Sequence, residues 1–341
     1  MKKKIISLLK YIFFLGIGVF LVWWQFDKMT PAQRTQFGES LQYANYWLLI
    51  PVIILSLLSH FSRAVRWKIL LQPMGYTPST SNTFYAVMTG YLVNTFVPRA
   101  GEILKCTLIS RYEKIPINKL IGSILVERAF DLVCYIIFII ITILIQINQV
   151  SSFVKKKFAQ MAEGSSTSIG IKLLIIASVI FAIVLLLKWI FKKFAHHRYI
   201  INIKGFHVGI KEGFYAIARL KKRGWFLFHT FFIWGMYLLQ VYIGFSALSA
   251  TSHLGIAEAC SVLSLATLGM IVSPGGIGAF PIAVQEVLLI YNVDNVSFGW
   301  MVWSLSTLII LIGGLISLGL LVYKNEKLNE AKQTNITENI Q

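Results

Sequence analysis

The chain has 341 residues, 56% hydrophobic and 13% charged, with a mean hydropathy of +0.69. A charged share about half that of soluble domains excludes an ordinary water-soluble globule and points to a polytopic helical membrane protein; strand alternation is absent, which argues against a β-barrel. The formal net charge is +18, but the cations sit between apolar spans, where they orient the chain and meet anionic headgroups instead of nucleic acid.

The N-terminus, MKKKIISLLKYIFFLG, is built like the start of a signal peptide, yet the apolar run continues to Phe26 without a small-residue cleavage site. An uncleaved first span over about 11–26 is expected, with Lys2, Lys3, Lys4 and Lys10 held in the cytoplasm by the positive-inside rule. Residues 27–44 read as a mixed-charge outer loop. A second span, about 44–61, ends in RAVRWK, whose Arg63, Arg66 and Lys68 mark the cytoplasmic side. A turn-rich loop, QPMGYTPSTSN, follows at 72–82.

The next apolar segment, about 83–110, is broken. Its centre, YLVNTFVPRAGEILK, loses an N–H at Pro98 and relaxes at Gly101. Non-helical backbone is tolerated in a membrane only where it is buried in protein or lines a cavity. The break carries Arg99, Glu102 and Lys105. An unpaired ion at such depth costs about 2.5–3.5 kcal/mol, so these groups are expected to face a protein interior or a watery cavity. Basic residues flank the segment on both sides, which a re-entrant hairpin opening to the cytoplasm satisfies. The alternative is a pair of kinked helices whose glycines only allow close packing.

A third span, about 120–147, carries ERAFD: Glu127, Arg128 and Asp131. Arg128 and Asp131 share a face at i,i+3, and Glu127 lies near Asp131 at i,i+4. They form either a local ion pair that fixes helix packing or a group that neutralises Arg99 or a substrate cation. Residues 148–170 should lie outside, although Lys155, Lys156 and Lys157 oppose the charge rule. A fourth span, about 171–191, leads into the basic stretch 192–224. There Phe206, Ile210, Phe214, Ile217 and Leu220 recur every three or four residues, as in an amphipathic helix lying on the inner leaflet. A soluble partner's groove is the second possibility for that helix.

The fifth span is expected at about 225–248. The loop after it, SATSHLGIAE, has no Lys or Arg and suits the outside. The second broken segment, about 257–291, contains LGMIVSPGGIGAFPIAVQE, with Ser273, Pro274, Gly275, Gly276, Gly278, Pro281 and then Glu286. Asn292, Asp294 and Asn295 follow without basic residues, so this hairpin is expected to enter from outside. A sixth span, about 298–323, ends at Lys324 and Lys327, before a short tail, 325–341, expected to be cytoplasmic and disordered.

Each half thus reads span, span, hairpin, span, with the halves at about 5–147 and 171–323. The expected architecture is all-α: six full transmembrane helices and two re-entrant helical hairpins in an inverted repeat, with eight full spans as the alternative. Cys106, Cys134 and Cys260 are scattered through apolar surroundings, and His196 and His197 lie in the basic loop. Neither pattern has metal-ligand spacing, no GxxxxGK[ST] phosphate loop is present, and no metal or cofactor is expected.

At the two broken segments and ERAFD, over about 5–325, the chain resembles the flippase-like membrane family known as the transmembrane region of lysylphosphatidylglycerol synthase. The residues that carry the resemblance are Asn94, Pro98, Arg99, Gly101 and Glu102; Glu127, Arg128 and Asp131; and Ser273, Pro274, Gly275, Gly276, Gly278 and Glu286. The family's multiple peptide resistance factors join such a region to a soluble aminoacyl-transfer domain. A stand-alone member without that domain is the expectation here, so the resemblance implies lipid translocation and not aminoacyl transfer. It also implies that Asn94, Arg128, Ser273, Gly275, Gly276 and Glu286 belong to a substrate-binding set, with Pro98, Gly101, Pro274 and Gly278 as structural breaks.

On this basis Arg99 and Lys105 would hold a phosphate. Glu102, Glu127 and Asp131 would balance charge or accept a cationic headgroup. The SPGGIG glycines would either expose N–H groups to an anion or form only a tight turn. The rival classes are a membrane transferase using those carboxylates as acid–base groups and a scaffold for an envelope enzyme. The candidate partners are membrane lipids, anionic inner-leaflet headgroups, a lipid-modifying or glycan enzyme and a second copy of the chain. The expected location is a prokaryotic cytoplasmic membrane, with both termini inside.

Overall fold

In a bilayer core the backbone must satisfy its own hydrogen bonds, so apolar runs close into helices. A computed structural model describes residues 16–97, 99–149, 152 and 220–338. The elements are α1 (residues 16–28), α2 (Pro31–Gln42), α3 (Leu49–Leu71), α4 (Thr80–Phe96), α5 (Ala100–Glu113), α6 (Ile117–Ile145), α7 (Arg223–Phe245), α8 (Ile256–Val272), α9 (Ala279–Ile290) and α10 (Val296–Glu338). No strand occurs among the described residues. Four helical stretches, Tyr46–Met74, Ile117–Ile145, Arg223–Phe245 and Val296–Lys327, are long and apolar enough to cross a membrane. The expected fourth span, Lys155–Lys157, the His pair, most of the basic loop with its amphipathic helix, and Pro98 lie outside the described residues.

Three boundaries differ from expectation. Residues 27–44 are not simply loop: Pro31 and a Thr30–Gln33 capping box start α2, a polar helix packed on α10. The second span runs on to Leu71 instead of stopping near Phe61, because Ala64, Trp67, Ile69, Leu70 and Leu71 continue the buried face. At the other end, α10 continues to Glu338, where a disordered tail was expected.

Both broken segments are helical hairpins. Asn82 Nδ2 donates to Glu113 Oε1 at 2.7 Å, tying the start of α4 to the end of α5. Tyr291 Oη donates to Ser261 Oγ at 2.7 Å, tying the start of α8 to the residue after α9. The longer arms, α4 and α8, have 17 residues each. At about 1.5 Å per residue such an arm rises about 25 Å, short of a hydrocarbon core of about 30 Å. Glycine permits the close approach of the arms: a Cβ on Gly101 would overlap the Gly90 carbonyl, and one on Gly269 would lie 2.7 Å from Ala279 O. The hairpins meet tip to tip. A Cβ on Gly275 would lie 3.2 Å from Thr95 O, and Trp303 Nε1 donates to Gly275 O at 2.8 Å.

The helix contacts repeat when the halves are exchanged. α10 packs on α4 as α6 packs on α8, and α3 pairs with its counterpart α7. α3 and α7 are antiparallel. Asn45 N donates to Ala247 O at 2.8 Å at one end, and Arg66 Nη1 donates to Thr230 Oγ1 at 3.2 Å towards the other. Among the described residues these counterparts run in opposite directions, as in an inverted repeat.

Candidate functional site

The candidate site is a charged cluster built where α3, α5, α6 and α7 converge. Helical spacing puts Arg63 and Arg66 on one face of α3, Glu127 and Asp131 on one face of α6, and Glu102 beside Lys105 on α5. Glu127 is the hub. Its Oε1 lies 3.0 Å from Arg66 Nη2, 3.0 Å from Arg128 Nη2 and 3.4 Å from Arg63 Nη1, and its Oε2 lies 3.7 Å from Lys105 Nζ. Asp131 lies 2.7 Å from Arg66, 3.0 Å from Arg63 and 3.6 Å from Arg128. Glu102 closes the ring, 3.2 Å from Lys105 and 3.9 Å from Arg128.

Neutral groups orient the cations. Arg66 Nη1 donates to Thr230, and Arg63 Nη2 donates to Tyr237 Oη at 3.2 Å. Lys105 Nζ sits 4.9 Å from the centroid of the Trp67 ring, whose Nε1 donates to Ser123 Oγ at 2.8 Å. The side chains of Glu127 and Arg66 are fully enclosed, whereas Arg128 is 39% exposed. The cluster therefore has a buried floor and one open edge. Glu127 stands ten residues into α6, about 15 Å along a helix that is long and apolar enough to cross a membrane. Burying an ion costs several kcal/mol, and the mutual pairing offsets that cost.

A family model described as the lysylphosphatidylglycerol synthase TM region matches residues 11–314, a span that contains both hairpins and the cluster. The chain belongs to this family. A UPF0104 membrane protein of Pyrococcus horikoshii is 23% identical over 342 residues, covering 92% of this chain and 96% of that protein. A UPF0104 membrane protein of Methanocaldococcus jannaschii is 23% identical over 145 residues. That match covers 42% of this chain and only 40% of the relative's length. No solved structure matches.

In this member of the lysylphosphatidylglycerol synthase transmembrane family, Glu102, Lys105, Glu127, Arg128 and Asp131 come together, and the other singled-out residues do not join them. Glu127 and Asp131 do not neutralise Arg99. Their partners are Arg63, Arg66, Arg128 and, for Glu127, Lys105. Arg99 is exposed at the tip of the first hairpin, with a left-handed φ of 66° and no ion pair among the described residues. Lys105 is buried and already paired, so it is not a free phosphate ligand. Asn94 caps the first turn of α5, its Oδ1 accepting from Gly101 N at 2.8 Å.

In the second hairpin, Ser273 Oγ donates to Ile277 O at 2.8 Å. Pro274 is buried, while Gly275, Gly276 and Gly278 take positive φ of 59°, 72° and 71°. The N–H groups of Gly276 and Ile277 bond back to Ser273 O and Pro274 O. That use favours the tight-turn role over an anion cradle at those two atoms. Glu286 is exposed on α9, with no ion pair among the described residues. Sequence reasoning missed Arg63, Arg66, Thr230, Tyr237, Trp67 and Trp303. The signal that would have found the arginines is their spacing of three inside an apolar pattern that continues to Leu71.

Proposed function

We propose that the chain is a lipid translocase, moving the headgroup of a phospholipid or lipid-linked molecule between the leaflets of a cytoplasmic membrane. The observation that carries this is a multi-ion cluster with one accessible edge, held among helices long and apolar enough to cross a membrane and beside a broken helical hairpin. Such a cluster offers a headgroup a polar route where hydrocarbon offers none. The acyl chains would stay in lipid along faces that expose large apolar side chains, including Leu125, Ile136, Ile140 and Leu144 on α6. Every carboxylate in the cluster sits against at least two cations. That arrangement suits charge balance better than proton exchange with a reacting atom, which disfavours the transferase alternative.

The test is purified protein in liposomes carrying fluorescent phospholipids, with dithionite reporting leaflet exchange. Exchange above protein-free vesicles, reduced by Arg128→Gln, is expected. Folded protein that leaves exchange at the protein-free rate for every headgroup overturns the proposal.

A further inference from the structure

The charge balance of the cluster names the class of headgroup. Among the described residues four cations, Arg63, Arg66, Lys105 and Arg128, face three carboxylates, Glu102, Glu127 and Asp131, so one positive charge is in excess. Glu127 lies within 3.7 Å of all four cations, so an incoming cation would compete with four charges already placed around it. The most accessible group of the cluster is a cation: the Arg128 side chain is 39% exposed, against 25% for Glu102 and 15% for Asp131. Arg128 is the open edge, and Arg99 stands about one helical turn before Glu102, exposed and without an ion pair among the described residues. Arg99 is held in a backbone conformation uncommon for a residue with a Cβ, which keeps a cation at the hairpin tip.

Resting on the translocase assignment, we propose that the headgroup carried is an anionic phosphate, taken up by Arg99 and Arg128, and that a cationic aminoacylated headgroup is the poorer substrate. A phosphate neutralises the surplus and matches the guanidinium fork. A cation would meet that surplus or have to break a buried pair, which costs far more than an exposed one. The carboxylates thereby act as counter-ions of the arginines and not as receptors for a positively charged headgroup.

The experiment compares leaflet exchange of fluorescent phosphatidylglycerol, phosphatidylcholine and lysyl-phosphatidylglycerol in proteoliposomes, for the wild type, Arg99→Gln and Arg99→Lys. Phosphatidylglycerol is expected to exchange about tenfold faster than its lysylated form. Arg99→Gln should reduce that preference and Arg99→Lys should keep part of it; Arg99 has no ion pair among the described residues to lose, so folding should survive. Equal rates for all three lipids, or the lysylated lipid fastest, would overturn the charge preference while leaving translocation standing.

Binding is read separately, so that loss of translocation does not decide the preference. Thermal stabilisation of the detergent-solubilised protein is measured with phosphatidylglycerol, lysyl-phosphatidylglycerol and inorganic phosphate. Stabilisation by phosphatidylglycerol alone supports a lipid phosphate, and equal stabilisation by inorganic phosphate supports a free-phosphate site instead. Stabilisation by the lysylated lipid at least as strong as by phosphatidylglycerol refutes the proposal in this arm too.

Discussion

Replacing Glu127 by Gln removes the hub of the cluster and leaves four cations facing two carboxylates. Its contacts span 3.0–3.7 Å; each is worth about 4–6 kcal/mol gross at an effective dielectric of 20. The desolvation of a fully enclosed carboxylate cancels most of that sum. Removing one partner of a buried pair then costs about 3–5 kcal/mol, because the remaining cations stay buried and undercompensated. With an unfolding entropy of about 2.1 cal/mol/K per residue, a chain of this length shifts roughly 1.4 °C per kcal/mol, so the melting midpoint in detergent, followed by tryptophan fluorescence, should fall by about 4–7 °C. The double variant Glu127→Gln, Arg66→Met removes a cation with the anion and should melt higher than the Glu127→Gln single variant. A single variant that melts with the wild type, or a double variant that loses the sum of the two single losses, would refute the buried-network account.

Gly101→Ala drives a Cβ into the Gly90 backbone, which cannot rotate away, and should cost about 3 kcal/mol or more in thermal stability; Gly90→Ala, with its nearest contact at 3.0 Å, should cost less. Asn94→Ala leaves the Gly101 N–H uncapped at the start of α5 and should lower stability by about 1 kcal/mol, read from the same melts. With Cys106, Cys134 and Cys260 replaced by Ala, Thr95→Cys combined with Gly275→Cys should crosslink under mild oxidant, since a Gly275 Cβ falls 3.5 Å from Thr95 Cα. The crosslink should also arrest lipid exchange, and failure to form it would contradict the tip-to-tip contact.

Much of the architecture was legible in the sequence because its causes are local. Pro98 with Gly101, and Pro274 with Gly275, Gly276 and Gly278, interrupt apolar runs at positions where no side-chain partner is needed to end a helix. The order span, span, hairpin, span follows from hydropathy and the placement of Lys and Arg, and the antiparallel pairing of α3 with α7 agrees with it. Boundaries were less legible. A polar segment such as 31–42 reads as loop until its cap and its packing on α10 are seen. An apolar run interrupted by Arg63 and Arg66 reads as the end of a span.

The sequence by itself determined the helical membrane class, the two hairpins and the residues Glu102, Lys105, Glu127, Arg128 and Asp131 as a set worth examining. Only the tertiary structure decided what they do together. A positively charged residue after an apolar run obeys the positive-inside rule whether it faces water or a buried acid, and the acids that claim Arg63 and Arg66 lie more than 60 residues later in the chain. Hydropathy acts along one helix, whereas charge pairing is settled between helices, at distances of about 3 Å that no linear pattern specifies. That is why Arg99, first in line as partner for Glu127, stands exposed at a hairpin tip, while two arginines that read as boundary markers form the floor of the site.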